Sequence, residues 1–370
     1  MVVQDVQHIL DAWAPKDIAW NRDNVGLQIG SSQKTVRKIL VVLDLTDEVI
    51  KEARRKKVDL IVSHHPLLFH PIKTITHDGR VGRLIQKLIE SGIALFSAHT
   101  NLDFTRHGVS FTLAEKLGLY KIDFLHKSYK NQKKIVVFVP RAHVDRVTEA
   151  MAVAGAGRIG KYELCSFRAE GTGTFKPLEG AKPFSGKIGN LEKVPEIRLE
   201  MIVQASKAHD VINAMRSSHP YEEVAYDVYD LDNTSYDYGE GAIGEFKTRM
   251  PAKRFLEHIC RTLRTRTVRY IGNTKQRILR VAVCGGSGSE LLPIAIQQGA
   301  DALITADIKY HTFQETDLKI MLVDAGHFET EQPVVQKIVE YLKRQFLIQK
   351  KHIKVFPSRS SYNPVQYFVL

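Results

Sequence analysis

The chain has 370 residues, of which 44% are hydrophobic and 25% are charged, a composition that excludes disordered and collagen-like proteins. Its length predicts two or three domains, each large enough to bury a core of its own. Lysine and arginine number 53 against 41 aspartate and glutamate, and this excess of positive charge does not by itself indicate a nucleic-acid partner.

No stretch approaches the ~20 consecutive apolar residues that a membrane-spanning helix needs. The N-terminal sequence MVVQDVQHILDAW lacks a basic region followed by an apolar core, so we expect a cytoplasmic protein with no membrane association. The three cysteines, Cys165, Cys260 and Cys284, form no C-x-x-C pair, which argues against a disulfide framework and a thiolate zinc site. A metal ion would therefore need nitrogen and oxygen ligands.

Apolar strands alternate with amphipathic helices between residues 37 and 120. Strands are predicted in RKILVVLDL, VDLIVSHHP and IALFSAHTNLD, and helices in DEVIKEARRKK, RVGRLIQKLIESG and GVSFTLAEKLGL. Strands that alternate with helices of this length form parallel βαβ units. The first part of the chain, residues 1–130, is therefore predicted to be one half of an α/β domain.

Residues 131–245 follow a different pattern. The order strand, helix, strand, strand, helix, strand predicts a ferredoxin-like βαββαβ domain of the α+β class. Its flanks, YKIDFLHKSYKNQ and DNTSYDYGEGAIG, are polar and are interpreted as domain boundaries. This domain is predicted to interrupt the α/β domain, whose second half is residues 246–370.

The second half resumes the α/β pattern. Strands are predicted in RILRVAVCGGSG, ADALITADI, KIMLVDAGH and IKVFPS, with a helix in PVVQKIVEYLKRQF. Before them, residues 249–280 contain ten lysines or arginines and one acidic residue. A solvated helix face and a weak nucleic-acid site are both compatible with this segment, although it carries no interleaved stacking aromatic residues.

Residues that can bind metal follow three predicted strands. His64 and His65 come directly after LIVS, Asp103 follows ALFS, and His327 lies four residues before Glu331 after MLVD. Open α/β sheets place their ligands at the carboxyl ends of strands, so these five side chains are predicted metal ligands. Five ligands exceed the three that a catalytic zinc ion usually takes and suit two ions instead. Glu331 is also a candidate for proton transfer.

Other polar residues at strand ends are predicted to orient these ligands or to bind substrate. His99 is interpreted as a histidine that orients a ligand or packs in the core, and the loop after VAVC could present backbone N–H groups to a phosphate or be a plain turn. The candidates in this group are His99, Gly286, Ser287, Asp307, Tyr310 and His311.

Several strings resemble, in order, those of one known family. They are WNRDNVGLQIG, SHHPLLF, AHTNLD, AGAGRIGKYELCSF, HPYEEVAYD, CGGSGSEL, TADIKYH and DAGHFETE. The chain resembles the GTP cyclohydrolase 1 type 2 homologue family, the Nif-three-like dinuclear-metal proteins, in its long bacterial form. The resemblance implies a Nif-three-like α/β core with a PII-like or CutA-like insert. It also implies two divalent ions at His64, His65, Asp103, His327 and Glu331, and a toroidal homohexamer.

Three functions from different classes remain open at this point. The first is a metal-dependent hydrolase that acts on a small molecule, either a nucleotide or another phosphorylated or ring-amide compound. Zinc is the first expected metal, with iron, manganese or cobalt as alternatives. The second is a regulatory or metal-handling assembly whose PII-like insert senses a ligand. The third is nucleic-acid binding through residues 249–280.

Overall fold

The computed structural model of the protein describes residues 1–127, 131–235 and 237–368. These residues form two compact units: a core unit, residues 1–127 with 237–368, and an insert unit, residues 131–235. Within the described ranges, no helix is both long enough and apolar enough to cross a membrane.

The helices and strands are numbered in chain order. The α-helices are α1 (Val3–Trp13), α2 (Asp47–Lys56), α3 (Arg80–Glu90), α4 (Thr100–Asp103), α5 (Val109–Lys116), α6 (Val144–Val153), α7 (Ala208–Ser218), α8 (Ala252–Leu263), α9 (Leu292–Gln297), α10 (Tyr310–Gln314), α11 (His327–Glu331) and α12 (Pro333–Ile348). The strands are β1 (Gly26–Ile29), β2 (Lys38–Val42), β3 (Leu60–Ser63), β4 (Ala94–Ser97), β5 (Tyr120–His126), β6 (Gln132–Pro140), β7 (Phe167–Phe175), β8 (Glu192–Gln204), β9 (Tyr226–Leu231), β10 (Glu240–Pro251), β11 (Arg269–Ile271), β12 (Arg277–Ser287), β13 (Ala302–Ala306), β14 (Met321–Asp324) and β15 (Lys354–Pro357).

The first sheet of the core unit has the order β1-β4-β3-β2-β15. Strands β2, β3 and β4 are parallel neighbours, as their alternation with helices predicts. All residues of β3 and β4 are buried, which explains why these strands are continuous apolar runs rather than alternating ones. The strand predicted in IKVFPS is β15, and it pairs in parallel with β2 of this first sheet.

The second sheet has the order β11-β14-β13-β12-β10-β5. Its centre, β12, β13 and β14, is parallel, whereas β11, β10 and β5 pair antiparallel. The core unit is thus a mixed α/β structure whose parallel units lie in both sheets. The apolar side chains of α12 pack against the first sheet, and those of α5 and α8 pack against the second.

The predicted boundary segments need correction. The polar string YKIDFLHKSYKNQ predicts a domain boundary, but its residues Tyr120–His126 form β5, an edge strand that pairs with β10. Residues 128–130 of this string lie outside the described ranges. The predicted limit at residue 245 falls inside β10, which pairs with β5 and β12 in the core unit. Edge strands tolerate polar residues on their solvent face, so composition alone does not distinguish them from loops.

The insert unit follows the element order β6, α6, β7, β8, α7, β9. Its antiparallel sheet has the strand order β7-β8-β6-β9. Helices α6 and α7 cover one face of this sheet and bury an apolar cluster that includes Val137, Val147, Leu199, Met201 and Val211. The unit therefore has a hydrophobic core of its own.

The basic segment 249–280 is largely secondary structure of the core unit, with α8 followed by β11 and the start of β12. Three of its arginines pair with acidic side chains: Arg249 with Asp301, Arg269 with Asp324, and Arg280 with Glu245. These three cations therefore have acidic partners within the protein.

Candidate metal centre

His64 and His65 continue the pairing of β3 before the chain turns away. Their backbone N–H groups donate to the carbonyl oxygens of Val42 and Leu43 at 3.1 and 3.0 Å. His64 is fully buried, and its Nδ1 lies 2.8 Å from the carbonyl oxygen of Ala98, a contact in which Nδ1–H donates. This hydrogen bond leaves Nε2 of His64 as the atom available to a metal ion.

His65 is held in the same way by a carboxylate. Its Nδ1 lies 2.8 Å from Oδ1 of Asp44, which follows β2 in the neighbouring strand. Asp44 is not among the predicted site residues, although it directly follows the apolar run VVL, just as the predicted ligands follow apolar strands. A carboxylate that accepts from Nδ1–H orients the imidazole and makes Nε2 a better ligand.

His327 and Glu331 are the first and last residues of α11, one helical turn apart. Gly326, with a φ of 89°, makes the turn from β14 into this helix in a conformation that favours glycine. Nδ1 of His327 lies 2.6 Å from Oδ2 of Asp307, so this imidazole too has a carboxylate partner. Asp307 is one of the residues predicted to orient a ligand or to bind substrate, and its carboxylate contacts the imidazole of His327.

The free nitrogens and the carboxylates converge. Nε2 of His65 lies 2.9 Å from Oε2 of Glu331 and 3.4 Å from Nε2 of His327. Nε2 of His64 lies 3.5 Å from Oδ1 of Asp103 and 3.8 Å from Oε1 of Glu331. The structure thus brings together the five predicted ligands, although they come from three separate parts of the chain.

Three buried atoms in this cluster make no hydrogen bond within the described part of the chain. They are Nε2 of His64, Oδ1 of Asp103 and Oε2 of Glu331. Oε2 of Glu331 lies close to two imidazoles but without hydrogen-bond geometry. A buried polar atom without a partner costs about 1–3 kcal/mol, so three in one cluster require an explanation. Coordination of metal ions by these atoms would supply their missing partners.

Among the described residues, two overlapping groups have ligand atoms within 4.8 Å of one another: His64, His65 and His99, and His65, His327 and Glu331. His65 belongs to both groups. The sequence favoured an orienting or core role for His99, but the structure places it with the potential ligands, and its Nδ1 is 2.9 Å from Oδ1 of Asp23. Nε2 of His65 has one lone pair and can bind one ion only, whereas the two oxygens of Glu331 face different histidines, Oε1 towards His64 and Oε2 towards His65 and His327. The carboxylate is therefore the group that two neighbouring ions could share.

The pKa values of the imidazoles are raised in the metal-free chain. Burial lowers the pKa of His65, but the hydrogen bond to Asp44 and the close Glu331 carboxylate outweigh burial and raise that pKa to about 10. Burial likewise lowers the pKa of His327, and Glu331 and Asp307 raise it to about 9. Metal ions bind the deprotonated ring, so they must compete with these protons.

The two carboxylates of the cluster are shifted in opposite directions. Burial would raise the pKa of Glu331, but its contacts with His327, His64 and His65 hold the pKa well below the ordinary range. Burial raises the pKa of Asp103, against the influence of His64. Glu331 therefore carries a firm negative charge, which suits a ligand better than the proton-transfer role also predicted for it.

We expect the metal-free protein to lose stability as the pH rises from 6.5 towards 10. A histidine whose folded-state pKa is raised stabilises the fold fully below its unfolded-state pKa, and loses this contribution as the pH passes its folded-state pKa. With an ordinary value of 6.5 and a folded value of about 10, His65 alone would contribute up to about 5 kcal/mol. Urea unfolding of chelator-treated protein at pH 6.5, 8 and 10 measures this loss, and a flat or rising profile would contradict it.

The remaining predicted residues divide into two sets. Gly286 adjoins the cluster, because a Cβ at this position would lie 2.1 Å from Oε1 of Glu331. Tyr310 and His311 lie on the exposed side of the short helix α10, where their rings contact each other. Ser287 is exposed at the end of β12. No contact between these last three residues and the five ligands is found within the described ranges.

The glycine-rich segment after VAVC is the irregular end of β12 rather than a phosphate cradle. The backbone N–H groups of Gly286 and Gly288 donate to the hydroxyl oxygens of Thr330 and Thr305 at 3.0 and 2.9 Å. The N–H of Gly285 donates to Ser110. Because these donors already have partners inside the protein, they do not point as a group towards a ligand.

Comparison with known proteins assigns the chain to a family. A model of the Duf34/NIF3 (NGG1p interacting factor 3) family matches residues 1–364. The chain belongs to this family. The resemblance drawn from the sequence strings is therefore confirmed, and it extends over almost the entire chain.

Relatives in the Duf34/NIF3 family share the full length of the chain. A Bacillus subtilis (strain 168) protein named GTP cyclohydrolase 1 type 2 homolog is 39% identical over 366 residues, which cover 98% of both chains. A crystal structure of a Bacillus cereus protein related to NIF3 has a TM-score of 0.89 at 39% identity, with 100% of this chain and 99% of that chain covered. A Staphylococcus aureus structure has a TM-score of 0.80 at 31% identity, with the same coverage.

Proposed function

We propose that the protein binds two divalent metal ions and is a metal-dependent hydrolase. The observation that carries this proposal is the convergence of the five predicted ligands on Glu331, whose two carboxylate oxygens face different histidines. The buried atoms of His64, Asp103 and Glu331 that lack hydrogen-bond partners support it. One ion would be held by His64, Asp103 and Glu331, with His99 nearby, and the other by His65, His327 and Glu331.

A pair of divalent ions would lower the pKa of water and polarise a substrate oxygen, which is the chemistry of metal-dependent hydrolysis. The protein's own residues prepare the site for this. Asp23, Asp44 and Asp307 accept hydrogen bonds at Nδ1 of three imidazoles, which fixes each ring and directs Nε2 towards the centre. Ligation by both imidazole and carboxylate suits zinc first, and also iron, manganese or cobalt.

A nucleotide is the substrate class we propose to test first, because of the name carried by the Bacillus subtilis relative. The segment at Gly285, Gly286 and Gly288 adds no support to this choice, since its N–H groups are already bonded within the protein. Phosphate esters and cyclic amides therefore belong in the same substrate panel.

Replacing His65 or Asp103 with alanine should lower hydrolytic turnover at least about 100-fold, because each change removes a metal-facing side chain. Turnover is measured on a panel of nucleoside triphosphates, phosphate esters and cyclic amides, with protein whose metal content has been determined. Arg261→Glu, on α8, is the control and should retain turnover. Protein that carries two ions but hydrolyses no compound of the panel would count against the hydrolase proposal.

We also propose that the chain assembles as a homohexamer, as the family resemblance implies. Light scattering at micromolar concentration should give a mass near six times 41.9 kDa, about 250 kDa. A monomer mass under these conditions would refute the proposal.

The insert unit is proposed to be ferredoxin-like, of the PII or CutA kind, which its element order and its strand order β7-β8-β6-β9 support.

A further inference from the structure

A cavity of about 740 Å³ lies in the insert unit. Its volume is in the range of small-molecule binding sites, about 300–1,000 Å³. The cavity lies between strands β7 and β8, the end of β6, and the segments around residues 176–184 and 221–225. Four aromatic side chains line it: Phe138, Phe175, Phe184 and Tyr221. This cavity consists of insert residues alone and is independent of the proposed metal centre.

Two glycines of β7 leave room in this cavity. Gly171 pairs across the sheet with Glu196 of β8, so the two positions lie on the same face. A Cβ at Gly171 would meet no atom within 4 Å, whereas a Cβ at Gly173 would lie 2.0 Å from Oε2 of Glu196. The string GTG in β7 therefore makes space for the Glu196 carboxylate and keeps the adjacent position open.

Glu196 places a carboxylate against an apolar wall. The residue is only 8% exposed, and Oε1 accepts a hydrogen bond from the Tyr221 hydroxyl at 2.9 Å. Burial and the contact with Glu196 raise the pKa of Tyr221, so its hydroxyl keeps the proton and donates. Within residues 131–235, no other hydrogen bond to this carboxylate is found. A buried carboxylate without a cationic partner is costly, and a bound cation would offset that cost.

The string HPYEE, residues 219–223, holds this arrangement in place. Nε2–H of His219 donates to the carbonyl oxygen of Phe138 at 3.1 Å, and Nδ1 accepts from the backbone N–H of Tyr221 at 3.1 Å. Burial lowers the pKa of His219, so the ring is neutral at pH 7 and adds no positive charge beside Glu196. The histidine positions Tyr221 and does not compete with a cationic ligand.

The charged residues around the cavity favour a cation. The acidic residues that line it are Glu170, Glu196, Glu222 and Glu223, and the basic ones are Lys176 and Arg198. Arg198 already pairs with Glu200, with Nε 2.9 Å from Oε1, and lies over the Phe138 ring. Glu170 in turn pairs with Arg141 at 3.1 Å, which leaves Glu196, Glu222 and Glu223 against Lys176. A positive ligand would therefore enter a cavity with an excess of acidic side chains and meet aromatic faces that also attract cations.

We propose that the insert cavity binds a small organic cation with an aromatic or apolar body and one ammonium group. The ammonium group would pair with Glu196, and the body would lie against Phe138, Phe175 and Phe184. Such a ligand would combine apolar burial with one specific polar contact, which is the usual composition of a small-molecule site.

Three indole compounds that differ in one group test the proposal: tryptamine with an ammonium group, tryptophol with a hydroxyl, and indole-3-acetate with a carboxylate. Calorimetric titration of the full chain should give at least about 10-fold tighter binding of tryptamine than of the other two. Glu196→Gln should abolish this preference. Glu192→Gln, on the same strand but outside the cavity lining, should preserve it.

Gly171→Leu provides a second variant, because its side chain would occupy the open space and should lower tryptamine affinity at least about 10-fold. Circular dichroism of both variants checks that the fold is intact. No binding of tryptamine at millimolar concentration, equal binding of all three compounds, or an unchanged preference in Glu196→Gln would overturn the proposal. A drop in oligomer mass caused by Gly171→Leu would also overturn it, since the cavity would then be an interface between copies.

Discussion

His65→Ala is expected to reduce bound divalent metal from about two ions per chain to about one. His65, His327 and Glu331 form one ligand group, so the loss of His65 leaves that group with two donors. His327→Ala should lose the same ion, and the ion beside His64 and Asp103 should remain in both variants. Elemental analysis after metal loading and buffer exchange measures the ion count of each variant.

His352→Ala is the matched control, because His352 is exposed and lies outside both groups. It should retain two ions. Circular dichroism should be unchanged in all three variants, since the apolar clusters of the core unit are large enough to hold the fold without metal. Two ions retained in His65→Ala, or one ion or none in the unaltered protein, would refute a dinuclear site built on this residue.

Glu331→Gln should destabilise the metal-free protein at pH 6 by about 3 kcal/mol, the lower end of the cost of breaking a buried ion pair. At this pH the wild-type interaction is fully formed. A pH of 6 lies below the ordinary histidine pKa of 6.5 and above the ordinary glutamate pKa of 4.5, so His65 is protonated and Glu331 is ionised. The substitution removes the charge that the imidazoles contact, and they can relieve part of the cost by releasing protons.

The same substitution should lower the pKa of both His65 and His327, because Glu331 is one of the groups that raise each of them. Urea unfolding measures the stability change, and NMR titration of the imidazole protons measures the pKa values. Glu340→Gln, an exposed position on α12, should leave both quantities unchanged. Unaltered histidine pKa values in Glu331→Gln would show that this carboxylate does not organise the cluster.

The sequence by itself was sufficient to predict the parallel βαβ units and the five candidate ligands. Strands β3, β4 and β14 are buried on both faces, so each is a short continuous apolar run that is legible without a structure. The polar residues that end such runs have few reasons to be there except function, which is why His64, His65 and His327 could be identified. The family could be identified from the same strings, because they occur in order along the whole chain.

Only the tertiary structure decided which atoms meet. His65 and His327 are 262 residues apart, and no local pattern states that their Nε2 atoms lie 3.4 Å from each other. The partners Asp44 and Asp23 and the place of His99 beside the ligands depend on neighbouring strands and loops in space. Strand pairing could not be predicted from the sequence for the same reason, because β15 joins the first sheet and β5 the second through backbone hydrogen bonds. The side-chain pattern of a strand records which of its faces is buried and not which strand lies beside it, so such pairings become visible only once the chain has folded.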